Sequence, residues 1–167
     1  MSNGADRRTF FGKYQGVVSD NRDPDKRGRI KARVVDIFGD DESGWALPCA
    51  PFGGFCALPK VGAGVWIEFM RGDPDYPIWS GCWWGAGSEL PSVLGPSPEK
   101  KVVLETEGGN RIIFDDSPGS SGIILETAGG QKIKLTSNGI ELDNGNGATI
   151  KLSGSSVNVN SGALEVQ

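Results

Sequence analysis

Not one histidine occurs among the 167 residues. Its absence removes the usual base of a Ser- or Cys-centred triad and the commonest side-chain ligand of zinc. Cysteine is nearly as scarce: Cys49, Cys56 and Cys82 form an odd set without CxxC spacing, which argues against a disulfide framework and leaves no recognisable zinc pattern. Free cysteines are usually buried, so three buried thiols are expected. No apolar run is long enough to cross a membrane, and no window keeps a helical apolar period. The opening MSNGADRRTF lacks the apolar core of a secretory signal, so synthesis in the cytoplasm is expected. Positive charge is not in excess: 17 Lys and Arg face 21 Asp and Glu, for a net charge of −4. That balance gives no general attraction to nucleic acid or anionic membranes, so the expected partners are proteins. Paired glycines occur, but no GxxxxGK[ST] accompanies them, and no catalytic residue, metal ligand or cofactor-binding residue is assigned.

Aromatic residues are missing from one half only. All five tryptophans and all three cysteines precede residue 100, whereas the chain from Lys101 onward holds one aromatic, Phe114, and one proline, Pro118. The two halves therefore build different cores. Between them lies GAGSELPSVLGPSPEK, Gly85 to Lys100, whose Gly, Pro and Ser disfavour regular structure. The expected organisation is an N-terminal extension over 1–12, a barrel over 13–85, a linker over 86–100 and a β tail over 101–167.

What the tail does have is repetition. VLETEGGNRIIFDD begins at Val103, and ILETAGGQKIKLTS begins 21 residues later at Ile124. A looser copy, ELDNGNGATIKLSG, begins at Glu141. Short alternations carry apolar residues two apart: Val102/Leu104, Ile112/Phe114, Ile123/Leu125, Ile133/Leu135, Ile140/Leu142, Ile150/Leu152, Val157/Val159 and Leu164/Val166. Residues i and i+2 share one face of a strand, so each segment presents a narrow apolar stripe flanked by Lys, Glu, Asp, Thr or Asn. Two apolar residues per strand cannot close a core within one such chain. Three copies can, if the stripes meet on the axis of a triangular prism. At the usual strand spacing of ~4.8 Å, eight crosswise strands make a shaft roughly 35–40 Å long.

The first half holds five plausible strands in FFGKYQGVVSD, RIKARVVDIF, GWALPCAP, VWIEFM and IWSGCWWG, each followed by a Gly- or Pro-bearing turn. In the second, Ile30, Ala32 and Val34 alternate with Arg29, Lys31 and Arg33, one face for the core and one for solvent. A five-stranded OB-fold barrel fits this pattern, with an SH3-like barrel as its competitor.

The stretch VGAGVWIEFMRGDPDYPIWSGCWW resembles the OB domain of the central spike proteins of contractile injection machines: the phage baseplate assembly protein V family, the phage spike and VgrG. The residues that carry the likeness are Pro59, Val61, Gly62, Val65, Trp66, Glu68, Phe69, Gly72, Asp73, Pro74, Asp75, Pro77 and Gly81, together with Gly28 and Arg29 of an upstream hairpin, GVVSDNRDPDKRGRIKARV. The likeness covers Tyr14 to about Trp84; over the tail it is architectural. It implies an all-β chain in which the OB barrel is followed by an intertwined triple-stranded β-helix, a β-prism, formed by a homotrimer. The trimer core would be Leu104, Ile112, Phe114, Ile123, Leu125, Ile133, Leu135, Ile140, Leu142, Ile150, Leu152, Val157, Val159, Leu164 and Val166. It further implies a structural spike, not an enzyme, in a virion or contractile-particle baseplate. The spike would sit on a hub protein below the tube and make transient contact with the target envelope. A lysozyme domain stands between barrel and prism in some relatives; here that interval is only the linker.

Spikes of this kind that pierce unaided tend to end in His-x-His metal ligands, which this chain lacks. The resemblance therefore implies a separate tip protein of the PAAR type at Ala163, Leu164, Glu165, Val166 and Gln167. Other readings of single features are blander. Asp73 and Asp75 could pair as carboxylates, but Asp beside Pro is ordinary turn chemistry. Asp40, Asp41 and Glu42 fit a solvated hairpin tip. Lys26, Arg27, Arg29, Lys31 and Arg33 offer the best case for an alternative, an OB-fold protein binding single-stranded nucleic acid with an oligomerising tail, although Asp20, Asp23, Asp25 and Asp36 surround them. An adhesin or depolymerase on a β stalk is a third reading, weakened by the lack of a distal domain or an aromatic groove.

Overall fold

A computed structural model describes residues 8–161 and 163–166, and the chain divides into two compact units between Glu89 and Leu90. The first unit contains β1 (Tyr14–Asp20), β2 (Lys31–Arg33), α1 (Val35–Phe38), β3 (Leu47–Pro48), β4 (Gly64–Phe69) and β5 (Pro77–Trp83). Its sheet runs β2-β1-β4-β5-β3, antiparallel throughout except for the parallel β3–β5 pair. Bridges Ile30–Ala46 and Arg33–Glu42 join the approach to β3 back to β2, so the sheet curls round on itself. A five-stranded sheet that curls back with one parallel pair is OB-like; a plain meander would pair every neighbour antiparallel.

Alternation places the core as the sequence suggests. Ile30, Ala32, Val34, Ala46, Val65 and Ile67 have no exposed surface, and Val18 and Phe69 join them. One strand is shorter than its sequence suggests: RIKARVVDIF leaves the sheet after Arg33 and makes the single turn α1, which ends at Gly39 with φ 63°. A continued strand would aim Asp36 along with Val34 into the core. The helical turn keeps Val34 buried and lays the Phe38 ring 5.9 Å from Phe69, while Asp36 stays exposed.

The expectation of buried thiols is overturned, because Cys49, Cys56 and Cys82 are all exposed. The strands fill the core with aliphatic side chains, and the β3–β4 connection that carries Cys49 and Cys56 runs outside with Phe52 and Phe55 also exposed. Ahead of β1, the Phe10 N–H donates to the Gly72 carbonyl at 2.8 Å, and its ring lies 6.1 Å from Phe69 and 6.3 Å from Tyr14.

In the second unit, short 3-10 turns at Ser92–Leu94 and Pro98–Lys100 lead into β6 (Lys101–Glu105), β7 (Arg111–Asp115), β8 (Gly122–Glu126) and β9 (Lys132–Thr136). β10 (Gly139–Asp143), β11 (Thr149–Ser153), β12 (Ser156–Val159) and β13 (Leu164–Val166) follow. The eight strands form one antiparallel meander in sequence order. The Lys101 ammonium donates to the Val93 carbonyl at 2.9 Å, and the Asp116 N–H to the Lys100 carbonyl at 2.8 Å, which fixes the start of β6.

Candidate trimer face and barrel motif

Register turns the pairs of apolar residues into two columns. One runs Val102, Phe114, Ile123, Leu135, Ile140, Leu152, Val157, Val166; the other runs Leu104, Ile112, Leu125, Ile133, Leu142, Ile150, Val159, Leu164. Each neighbour in a column is a direct cross-strand partner, the arrangement in which side chains of one face touch. In the single chain the columns face open space: the eight residues from Ile123 to Leu152 are 38% to 41% exposed. Leu164 is exposed too, whereas Ile112, Val157 and Val159 are half-buried. The side chains of Glu165 and Val166, and all of Gly162 and Gln167, lie outside the described residues, whereas Ala163 is exposed.

The other face is charged and internally paired. Arg111 bridges Glu126 at 3.0 Å and Glu105 at 3.4 Å, and Glu126 also takes Lys132 at 2.8 Å. Glu141 lies between Lys134 at 3.7 Å and Lys151 at 3.3 Å. The Lys132 ammonium, and after it the Arg111 guanidinium, holds the Glu126 carboxyl below its ordinary range. One departure from the sequence pattern stands out: on β6 to β8 this face is apolar at its centre, where Val103, Ile113 and Ile124 are cross-strand partners and Ile113 is 2% exposed.

In the barrel unit, the motif residues explain one another. The Asp23 carboxylate accepts from the N–H groups of Asp25, Arg27 and Arg29 and from the Arg29 guanidinium, with its shortest contact at 2.6 Å, and Arg29 also reaches Asp25 at 2.7 Å. The guanidinium, chiefly, holds Asp23 far below the usual carboxylate range. Gly28, at φ 74°, turns the loop so that its carbonyl accepts from Trp79 Nε1 at 3.1 Å. Trp66 lies half-buried in β4, and Glu68 accepts from the Lys13 ammonium and from Ser80 Oγ, which keeps its carboxyl below the ordinary range, Lys13 contributing most. Gly72, at φ 77°, offers its carbonyl to Phe10, and a Cβ there would meet the Phe11 ring at 3.0 Å. In the following turn Asp73 Oδ1 accepts from the Asp75 N–H at 3.1 Å, and the Asp73 carbonyl accepts from the Tyr76 N–H at 3.0 Å. Pro74 sits within that turn, and Pro77, buried, opens β5. Gly81, at φ 74°, sits in the bulge where the β4–β5 register shifts between Val65 and Ile67.

The basic stripe is partly neutralised. Arg29 is committed to Asp23 and Asp25, Lys31 lies 3.6 Å from Glu42, and both cations lie over the Trp45 ring at 5.7 and 5.4 Å. That arrangement gives the nucleic-acid reading no better footing than the composition did. Among the described residues no group of three or more His, Cys, Asp or Glu side chains could hold a metal ion. Sequence reasoning missed the docking of Phe10 and the keystone role of Asp23; an aromatic just ahead of the first strand, and an acid six residues before an arginine, were the available signals.

A curled OB-like barrel followed by a sheet with one uncovered apolar face defines a two-unit, β-rich protein. Residues 14–84 match the family described as "Type VI secretion system/phage-baseplate injector OB domain", and residues 101–165 match "Phage baseplate V C-terminal trimerisation domain". Similar proteins include "Actin cross-linking toxin VgrG1" of Vibrio cholerae, 40% identical over an alignment of 77 residues that covers 43% of this chain and 7% of that protein. "Type VI secretion system spike protein VgrG4b" of Pseudomonas aeruginosa is 33% identical over 115 residues, 60% of this chain and 14% of that protein. "Type VI secretion system spike protein VgrG5" of the same organism is 30% identical over the same length. The chain thus spans only a small part of the curated relatives it matches. It belongs to the phage baseplate V family, carrying its injector OB domain and its C-terminal trimerisation domain.

Proposed function

We propose that the chain is a structural, non-enzymatic central spike of a contractile injection machine: a homotrimer seated on a baseplate hub below the tube and driven through the target envelope. The observation that carries this reading is the pair of unbroken apolar columns, each residue about two-fifths exposed along the middle of the sheet. Burial stabilises by about 25 cal/mol per Å² of apolar surface, so three such faces turned inward gain stability that none has alone. Because strands pair with their sequence neighbours, each wall of the prism would be one chain's own sheet standing side by side with two others, a departure from the intertwined winding that the resemblance implies.

The hub partner has a suitable surface on the barrel unit. From Gly44 to Pro59 the chain carries no charge, and Phe52, Phe55 and Leu58 stand exposed there, the composition of a protein-binding patch. A tip protein of the PAAR type would meet β13, the terminal strand of the sheet, whose only partner among the described residues is β12. Solution mass decides the central point: light scattering on the purified chain should return three chains per particle. A stable single chain would end the spike reading.

A further inference from the structure

The tail sheet has two unlike edges, and resting on the trimer reading they define how its corners close. On one edge the chain turns through loops 106–110, 127–131 and 144–148; on the other it turns through 116–121 and the two-residue turns 137–138 and 154–155. The loop edge is continuous. Ala128 N–H donates to Asn110 Oδ1 at 3.1 Å, tying the second loop to the first, and a Cβ on Gly145 would lie 3.0 Å from the Gly130 carbonyl carbon, so the third packs on the second. The turn edge is notched. Between 116–121 and 137–138 the sheet ends at Gly122 beside Thr136, and between 137–138 and 154–155 it ends at Gly139, where a Cβ would lie 3.3 Å from Ser153 Cα. Both glycines are required by the sheet itself, because a Cβ would stand 2.2 Å from the Leu135 carbonyl oxygen at Gly122 and 1.9 Å from that of Leu152 at Gly139; the notches are the gaps that the alternation of turns leaves along the edge.

Threefold rotation keeps the three chains at one height, and turning every apolar face inward forces the loop edge of each chain against the turn edge of the next, a heterologous contact. A meander places loops and turns one strand apart, ~4.8 Å, so the loops of one edge stand level with the notches of the other. We infer that loops 127–131 and 144–148 of one chain seat in the Gly122 and Gly139 notches of its neighbour. The loops are built of small residues that allow close approach: the first brings Gly129 and Gly130, and the second Gly145 and Gly147 with the amides of Asn144 and Asn146. The corner is then a ladder of small residues that fixes the axial register of three otherwise similar columns.

Cysteine pairs read this joint in the full chain, with Cys49, Cys56 and Cys82 first replaced by Ser. Ala128→Cys combined with Asn138→Cys places thiols on opposite edges of one chain, separated by β9, about 15 Å and beyond disulfide reach, so only a neighbour can supply the partner. Mild oxidation should convert this variant, and Ala128→Cys with Ser121→Cys, into covalent trimers on a non-reducing gel. Either single-edge variant alone should give none, nor should Ala128→Cys with Ser155→Cys, three strand spacings off. If the first pair blocks assembly, Asn146→Cys with Ser155→Cys tests the same joint one repeat along. Linking by a single-edge variant, or no linking by either pair that flanks the Gly122 notch in particles whose mass is three chains, overturns the corner. A mass of one chain for the unmodified protein would instead overturn the trimer reading on which it rests.

Discussion

Asp23 shows how much one side chain organises. Three backbone N–H groups and a guanidinium converge on its carboxylate, so the loop between β1 and β2 hangs from it. Asp23→Asn keeps the shape and removes the charge, and the barrel's melting temperature should fall clearly in a calorimetric scan. Arg22→Ala should leave it nearly unchanged, because Arg22 is largely exposed and its pair with Asp20 is a surface one. The same chemistry sets the acid limit. Asp20, Asp23, Glu68, Asp115 and Glu126 all have carboxyls held below their ordinary range, led respectively by Arg22, Arg29, Lys13, the Ser117 contacts and Lys132. A depressed carboxyl contributes stability that is full above its unfolded pKa and is lost as pH falls through the folded one. Melting temperature should therefore be flat from neutrality to about pH 5 and decline below about pH 4; a decline that began at neutral pH would contradict these pairings. The sequence displays the turn around Asp23 but not its partner, since four acids surround the basic stripe and only the path of the loop selects one.

At the scale of elements, the tail strands were legible because a period of two and a full register need nothing beyond the chain itself. Both apolar columns follow from the spacing of Leu104, Ile112, Leu125 and their successors. What the spacing could not reveal is Ile113, which alternation assigns to the outer face and which is nonetheless buried, or the turn α1, which depends on Phe38 finding Phe69. The two faces of β9 make the contrast testable. Ile133→Asp puts three like charges near one axis in the trimer, and loss of the three-chain particle is expected by light scattering. Lys134→Asp on the opposite face sets an acid across from Glu141, a cross-strand repulsion costing about 0.2–1 kcal/mol per chain, and trimers should persist. If the outer change dissolved the trimer and the inner one did not, the faces would be exchanged.

At the scale of the whole molecule, the two units hold together by different means. The barrel unit has a core of its own, with Val18, Ile30, Ala32, Val34, Ala46, Val65, Ile67 and Phe69 buried inside one chain. The tail has none on its apolar face, where every residue from Ile123 to Leu152 in the two columns is exposed in the single chain. Stability within a chain does not depend on protein concentration, whereas stability gained by association rises with it by mass action. Calorimetry on the intact protein at concentrations spanning a hundredfold should then resolve two transitions. The one belonging to the tail should move upward as concentration rises, and the one belonging to the barrel should stay in place. Ile67→Ala, which removes a fully buried side chain, should lower the barrel transition by the equivalent of about 2–5 kcal/mol and leave the tail transition where it was. A tail transition that ignored concentration would mean that each sheet is stable without its partners, and the uncovered columns would then need a reason other than trimer formation.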